Sequence, residues 1–162
     1  YKYLDVYHFC NTNVYFTELK NFFKFFEHKF NLQIVIAAHP KIKYKIKNNF
    51  NRKIYFDNTI NLVKKSKLVF SHMSTSINFA VIFKKPIIFL NSKNYTSQFS
   101  NQINFHSKVL NSRLINLSDE KWNITNIPKY NINSYDRYLN KYIKLNKNDK
   151  RNSWKILSDN IT

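Results

Sequence analysis

The chain has 162 residues, of which 43% are hydrophobic and 17% aromatic, so one ordinary domain with a real core is expected and wholesale disorder is excluded. No apolar run reaches membrane-spanning length, no secretory leader pattern opens the chain, and the single cysteine excludes an internal disulfide. The net charge of +18 comes from 27 basic residues against 9 acidic ones.

The elements alternate along the chain. "YKYLDV" reads as a short strand, and Leu19, Phe22, Phe23, Phe26 and Phe30 follow helical spacing over Thr17 to Phe30, with Thr17 as cap. The continuous run "LQIVIAA" predicts a strand buried on both faces. A lysine-rich helix is expected over Lys41 to Asn49, then a strand in "RKIYF", a helix in "DNTINLVKKS" and a strand in "KLVFS". "TSINFAVIFK" predicts a helix, "PIIFL" a strand, "YTSQFSNQINFHSKVL" a helix and "RLINL" a last strand. Strands separated by helices mean βαβ units, so the fold class is α/β, a mainly parallel sheet with helices on both faces. Residues 1–118 form this domain. The rest, 119–162, is a tail with helices near Tyr135 to Lys144 and Ser153 to Ile161, packing back on the domain.

The chain opens on Tyr1 and enters a strand at once, so a fragment with an upstream part is expected. With no glycine among its residues, asparagine is expected to fill turn positions of positive φ.

Charge type and placement narrow the partner. There are 23 lysines, 4 arginines and 25 asparagines, a profile that fits AT-rich codon usage, whereas nucleic-acid readout favours arginine. Between Glu27 and Asp119 the one acid is Asp57, against 15 lysines and arginines, so that region attracts anions and offers few carboxylates for acid–base chemistry.

In open α/β sheets, ligands sit beyond the carboxyl ends of the strands. Two loops there are chemically marked. In "AAHPK", His39 and Pro40 end a strand; in "SHMSTS", His72 precedes Ser74, Thr75 and Ser76 at a helix start. Hydroxyls and unpaired N–H groups at a helix start can receive a phosphate, and a histidine can add a charge-assisted hydrogen bond. The bland alternatives are a helix cap for Ser74, a satisfied core position for His72, a turn for His39 and a solvated helix end for Lys84 and Lys85. A zinc site from His39 and His72 lacks a third ligand at any recognisable spacing. If the two loops share a phosphate, the His39 imidazole lies within roughly 10 Å of the Ser74 hydroxyl.

From Leu32 to Leu90, "IVIAAHPK" followed by "DNTINLVKKSKLVFSHMSTSINFAVIFKKPIIFL" resembles the C-terminal, Rossmann-like donor-binding domain of GT-B glycosyltransferases of bacterial surface-polysaccharide pathways. The resemblance is to the broad group that includes bacterial sialyltransferases and CDP-glycerol glycerophosphotransferases. It implies that His39, Ser74, Thr75, Ser76 and His72 hold the donor phosphates and that Pro40 and Thr59 lie near the nucleotide. Retaining GT-B enzymes carry a glutamate pair around this helix, which is missing here, so an inverting, metal-independent transferase is implied. Its base comes from an N-terminal domain, with Asp5 and His8 as the lesser candidates.

The partners implied are a nucleotide-activated sugar or polyol phosphate, a glycan acceptor and the missing domain. No cofactor is implied, and as a lone domain the chain should bind without turnover. The location implied is cytoplasmic, at the inner face of an anionic membrane. The rival readings are a basic nucleic-acid-binding module and an epimerase or non-catalytic relative of the same fold. The phenylalanines follow core periodicity, which speaks against a stacking surface for nucleic acid.

Overall fold

The computed structural model describes residues 10–38 and 50–144. The expected first strand, the Lys41 to Asn49 helix and the Ser153 to Ile161 helix lie outside them. In chain order the elements are α1 (Thr12–Phe30), β1 (Ile36–Ala38), β2 (Ile54–Phe56), α2 (Thr59–Lys65), β3 (Val69–Ser71), α3 (Ile77–Ile82), β4 (Ile87–Asn91), α4 (Ser97–Val109), β5 (Arg113–Asn116) and α5 (Ile132–Tyr138), with a π-helical turn at Leu139–Ile143. Among the described residues all pairings are parallel: β1 with β2, and β3-β4-β5 with β4 central. The fold is α/β with two small parallel sheets flanked by helices.

Helix α1 starts five residues before the Thr17 expected from periodicity. Asn11 is the cap: its side-chain oxygen accepts from the N–H groups of Asn13 at 2.9 Å and Val14 at 3.4 Å. Leu19, Phe22, Phe23 and Phe26 form the buried stripe. Phe22 and Phe26 set their rings edge-on to Phe70 of β3, at 5.4 and 4.8 Å between centroids, so α1 lies against the three-stranded sheet. Trp122, after β5, closes on Phe22 from another side at 5.3 Å.

The run "LQIVIAA" pairs over fewer residues than its composition predicts. The Ile34 N–H donates to the Glu27 carboxylate at 2.9 Å instead of to a strand, so the ladder begins only at Ile36, whose N–H meets the Lys53 carbonyl. Nor is this strand buried on both faces, since Ala37 is exposed. That role belongs to β4, in which all five residues, Ile87 to Asn91, are buried. Successive strand residues point to opposite faces, so elements must cover the three-stranded sheet on both sides.

The Glu27 carboxylate also takes two hydrogen bonds from Arg52, at 3.2 and 2.6 Å. Burial works against its charge, but the bonds from Arg52 and Ile34 and the guanidinium charge prevail, and the carboxyl sits below its ordinary value. Among the described residues five adopt positive φ: Asn31, Asn51, Asp57, Lys84 and Asn111. Three of the five are asparagine, which tolerates this region better than other residues with a β-carbon.

The segment after β5 returns to α3. The Tyr138 hydroxyl donates to the Asn78 side chain at 3.1 Å, and the Tyr135 hydroxyl donates to the Lys85 carbonyl at 2.9 Å. Helix α5 is thereby tied both to α3 and to the turn that follows it. Among the described residues no helix is long and apolar enough to cross a membrane.

Candidate functional site

Parallel pairing puts the ends of β3, β4 and β5 on one edge, where Ser71, Asn91 and Asn116 give way to loops. The loop after β3 holds the marked residues. Ser74 and Thr75 are exposed and Ser76 is half-exposed. The Ser74 oxygen accepts from the Ser76 N–H at 3.2 Å and from the Ser76 hydroxyl at 2.8 Å, which leaves the Ser74 proton for an outside acceptor. Helix α3 opens two residues later than expected: the N–H groups of Ile77, Asn78 and Phe79 meet the carbonyls of Ser74, Thr75 and Ser76, a 3₁₀-type entry.

His72 turns inward from the same loop. Its Nδ1 lies 2.7 Å from the Leu90 carbonyl, which can only accept, so Nδ1 carries the proton and Nε2 is the acceptor facing the Tyr15 hydroxyl at 3.4 Å. The ring packs among Tyr15, Tyr95 and Phe99. Burial pushes its pKa down, opposed in part by the Leu90 bond. Burial also pushes the Tyr15 hydroxyl up to about 12 and raises the nearby Cys10 thiol, so neither ionises near neutrality.

A group whose folded pKa is depressed is neutral in the fold while the unfolded chain still binds a proton. Stability should therefore be lost as pH falls below about 6.5, the ordinary value, and level off below the folded pKa. Melting temperatures from pH 8 to 5 should show this loss. His72→Gln, whose amide can still donate to Leu90, should melt with a smaller decline over the same window; an unchanged decline would exclude His72 as its source.

Thr59 opens α2 just after β2 and is half-buried. The register Ala38↔Phe56 sets the ends of β1 and β2 side by side, so the chain leaves β1 at the edge from which α2 starts. His39 and Pro40 follow Ala38 directly and, like Asp5 and His8, lie outside the described residues.

One cluster on the carboxyl edge of the three-stranded sheet had no sequence signal. The Ser118 hydroxyl, after β5, donates to Glu18 of α1 at 2.8 Å, and the Asn94 amide donates to the same oxygen at 2.7 Å. With its proton given to Glu18, Ser118 must accept from the Ser92 hydroxyl at 2.8 Å. Ser92 in turn takes the Asn94 N–H at 3.0 Å, and Asn91 is held by Asn104 and Ser100. The other Glu18 oxygen is buried with no hydrogen-bond partner among the described residues. The first half of α1 is thus tied by a carboxylate to the loops after β4 and β5, while the Ser74–Ser76 loop stays open to solvent. Among the described residues no three His, Cys, Asp or Glu side chains are grouped to hold a metal ion.

No protein-family model, curated protein or solved structure matches the chain.

Proposed function

We propose that the chain is the nucleotide-sugar- or nucleotide-polyol-phosphate-binding half of an inverting, metal-independent GT-B transferase of surface-polysaccharide synthesis. The observation that carries the reading is the exposed hydroxyl loop Ser74–Ser76 at the carboxyl edge of a parallel sheet, in the order of motifs that resembles this group. Open α/β sheets receive ligands at this edge.

Ser74 donates its free proton to a donor phosphate oxygen, and Thr75 adds a second hydroxyl. His39, which follows β1 in the sequence, supplies a charge-assisted hydrogen bond. These groups stabilise the negative charge that builds on the departing nucleotide, which is how such a half-domain contributes to the rate. The general base belongs to a companion domain, so this half binds without turnover.

Calorimetric titration with CMP, CDP and UDP tests the proposal. At least one should bind, and Ser74→Ala with Thr75→Val should weaken it about tenfold or more. His39→Ala removes one charge-assisted bond and should cost roughly 1.5–3 kcal/mol, about 10- to 150-fold. Absence of binding by all three nucleotides, or unchanged affinity in both variants, would overturn the reading.

A further inference from the structure

The two parallel sheets lie under one helix yet are not joined. Among the described residues no strand pairing links β1–β2 to β3-β4-β5. The Phe23 ring of α1 sits 6.3 Å from that of Phe50, just before β2, and 6.2 Å from that of Phe70 in β3. Glu27 of the same helix holds Arg52, also just before β2. Helix α2, on its way from β2 to β3, lies against β1, so β1 stands between β2 and the three-stranded sheet. The far side of that sheet is already taken, because the Trp122 indole donates to the Asn116 carbonyl and Arg113 to the Asn123 carbonyl. The free edges of β1 and β3 therefore face each other. They do so in the interior, where Ala38 and Ser71 are buried. A strand edge left open there strands N–H and C=O groups away from water, which costs free energy.

Handedness selects the segment that fills the gap. Residues paired in register share a face, so Phe70 and Ile88 lie on one face of the sheet and Phe89 and Asn91 on the other. Helix α1 packs on the first face, through Phe22 and Phe26 against Phe70. Helix α4, which carries the chain from β4 to β5, packs on the second, through Asn104 and Ser100 against Asn91. Crossovers between parallel strands are right-handed. A helix on the α4 face thus moves the chain in the direction from β3 to β5, and a helix on the α1 face moves it the opposite way. The strand that feeds α1 must then lie on the β3 side of β1, which is the gap. It must also end at the carboxyl edge, since Tyr15 in the first turn of α1 meets His72 in the loop after β3.

We propose that residues 2–6, which precede α1 and read as a strand, occupy this gap as a parallel strand between β1 and β3. The result is one six-stranded sheet: β2, β1, the inserted strand, β3, β4 and β5. The inserted strand lies about 4.8 Å from each neighbour and supplies partners to both open edges. Strand order reverses between it and β3, and open α/β sheets form their ligand crevice at such a reversal. Asp5 and His8, at the end of the strand and just past it, come to the edge that carries the Ser74–Ser76 loop. The proposal rests on packing and handedness, whatever that loop binds.

The test is nuclear Overhauser spectroscopy on the full chain, labelled with nitrogen-15 and carbon-13. Backbone protons of residues 3–6 should contact Ile36–Ala38 on one side and Val69–Ser71 on the other. Their amides should exchange with deuterium at least about 100-fold more slowly than in an unfolded chain. Leu4→Pro removes a ladder donor from an interior strand and should lower the melting temperature by at least about 5 °C. If that variant does not fold, the contacts and exchange of the unaltered chain decide. Direct backbone contacts between β1 and β3, fast exchange at residues 3–6, or a Leu4→Pro shift under about 2 °C would overturn the proposal. So would contacts that appear only between labelled and unlabelled copies in a mixed sample, which would put a second copy's strand in the gap.

Discussion

Replacing Phe22 with alanine is expected to lower the unfolding free energy by about 3–5 kcal/mol, the range for removing a large buried ring. Phe22 has no exposed surface. Its ring touches Phe23 and Phe26 within α1, Phe70 of β3 and Trp122 after β5, so it joins helix, sheet and C-terminal segment in one contact. In a domain of this length each kcal/mol moves the melting temperature by about 2–4 °C, so a fall of about 6–20 °C is expected in a thermal scan. Lys24→Ala, on the exposed face of the same helix, should move it by less than about 2 °C. A Phe22→Ala shift no larger than that of the control would mean that α1 does not hold the core.

Glu18→Ala should cost about 2–3 kcal/mol, seen as a fall of about 4–12 °C. Hydrogen bonds to a charged acceptor are stronger than neutral ones, and Glu18 accepts two on one oxygen, from Ser118 and Asn94. Removing it leaves the Ser118 hydroxyl, half-buried, without its acceptor. Ser118→Ala should cost less. The double variant should cost less than the sum of the two, because both singles break the same bond. Strict additivity of the two losses would show that they act separately.

The α/β class was legible because each helix and strand keeps its own period, from the stripe Leu19, Phe22, Phe23, Phe26 to the apolar run of β4. Boundaries were less legible where a side chain replaces a backbone partner. Asn11 extends α1 backwards, and Glu27 removes Ile34 from the ladder; neither event leaves a periodic mark. The hydroxyls of the loop after β3 could be singled out because strand, loop and helix are contiguous there. The Glu18–Ser118 tie joins residues 100 positions apart and had no local signal. His72 shows a further limit: its residue type fits a ligand and a packed ring equally, and only the positions of Leu90 and Tyr15 fix its tautomer and its neighbours.

Nucleotide titration followed by backbone amide NMR tests the central claim most directly. With CDP or UDP, the largest shift changes should fall on the amides of Ser74, Thr75 and Ser76 and on His39, and be lost in Ser74→Ala with Thr75→Val. Shifts confined to the lysine-bearing approaches to β3 and β4, or none at saturating nucleotide, would contradict the assignment of a donor-phosphate site to the carboxyl edge.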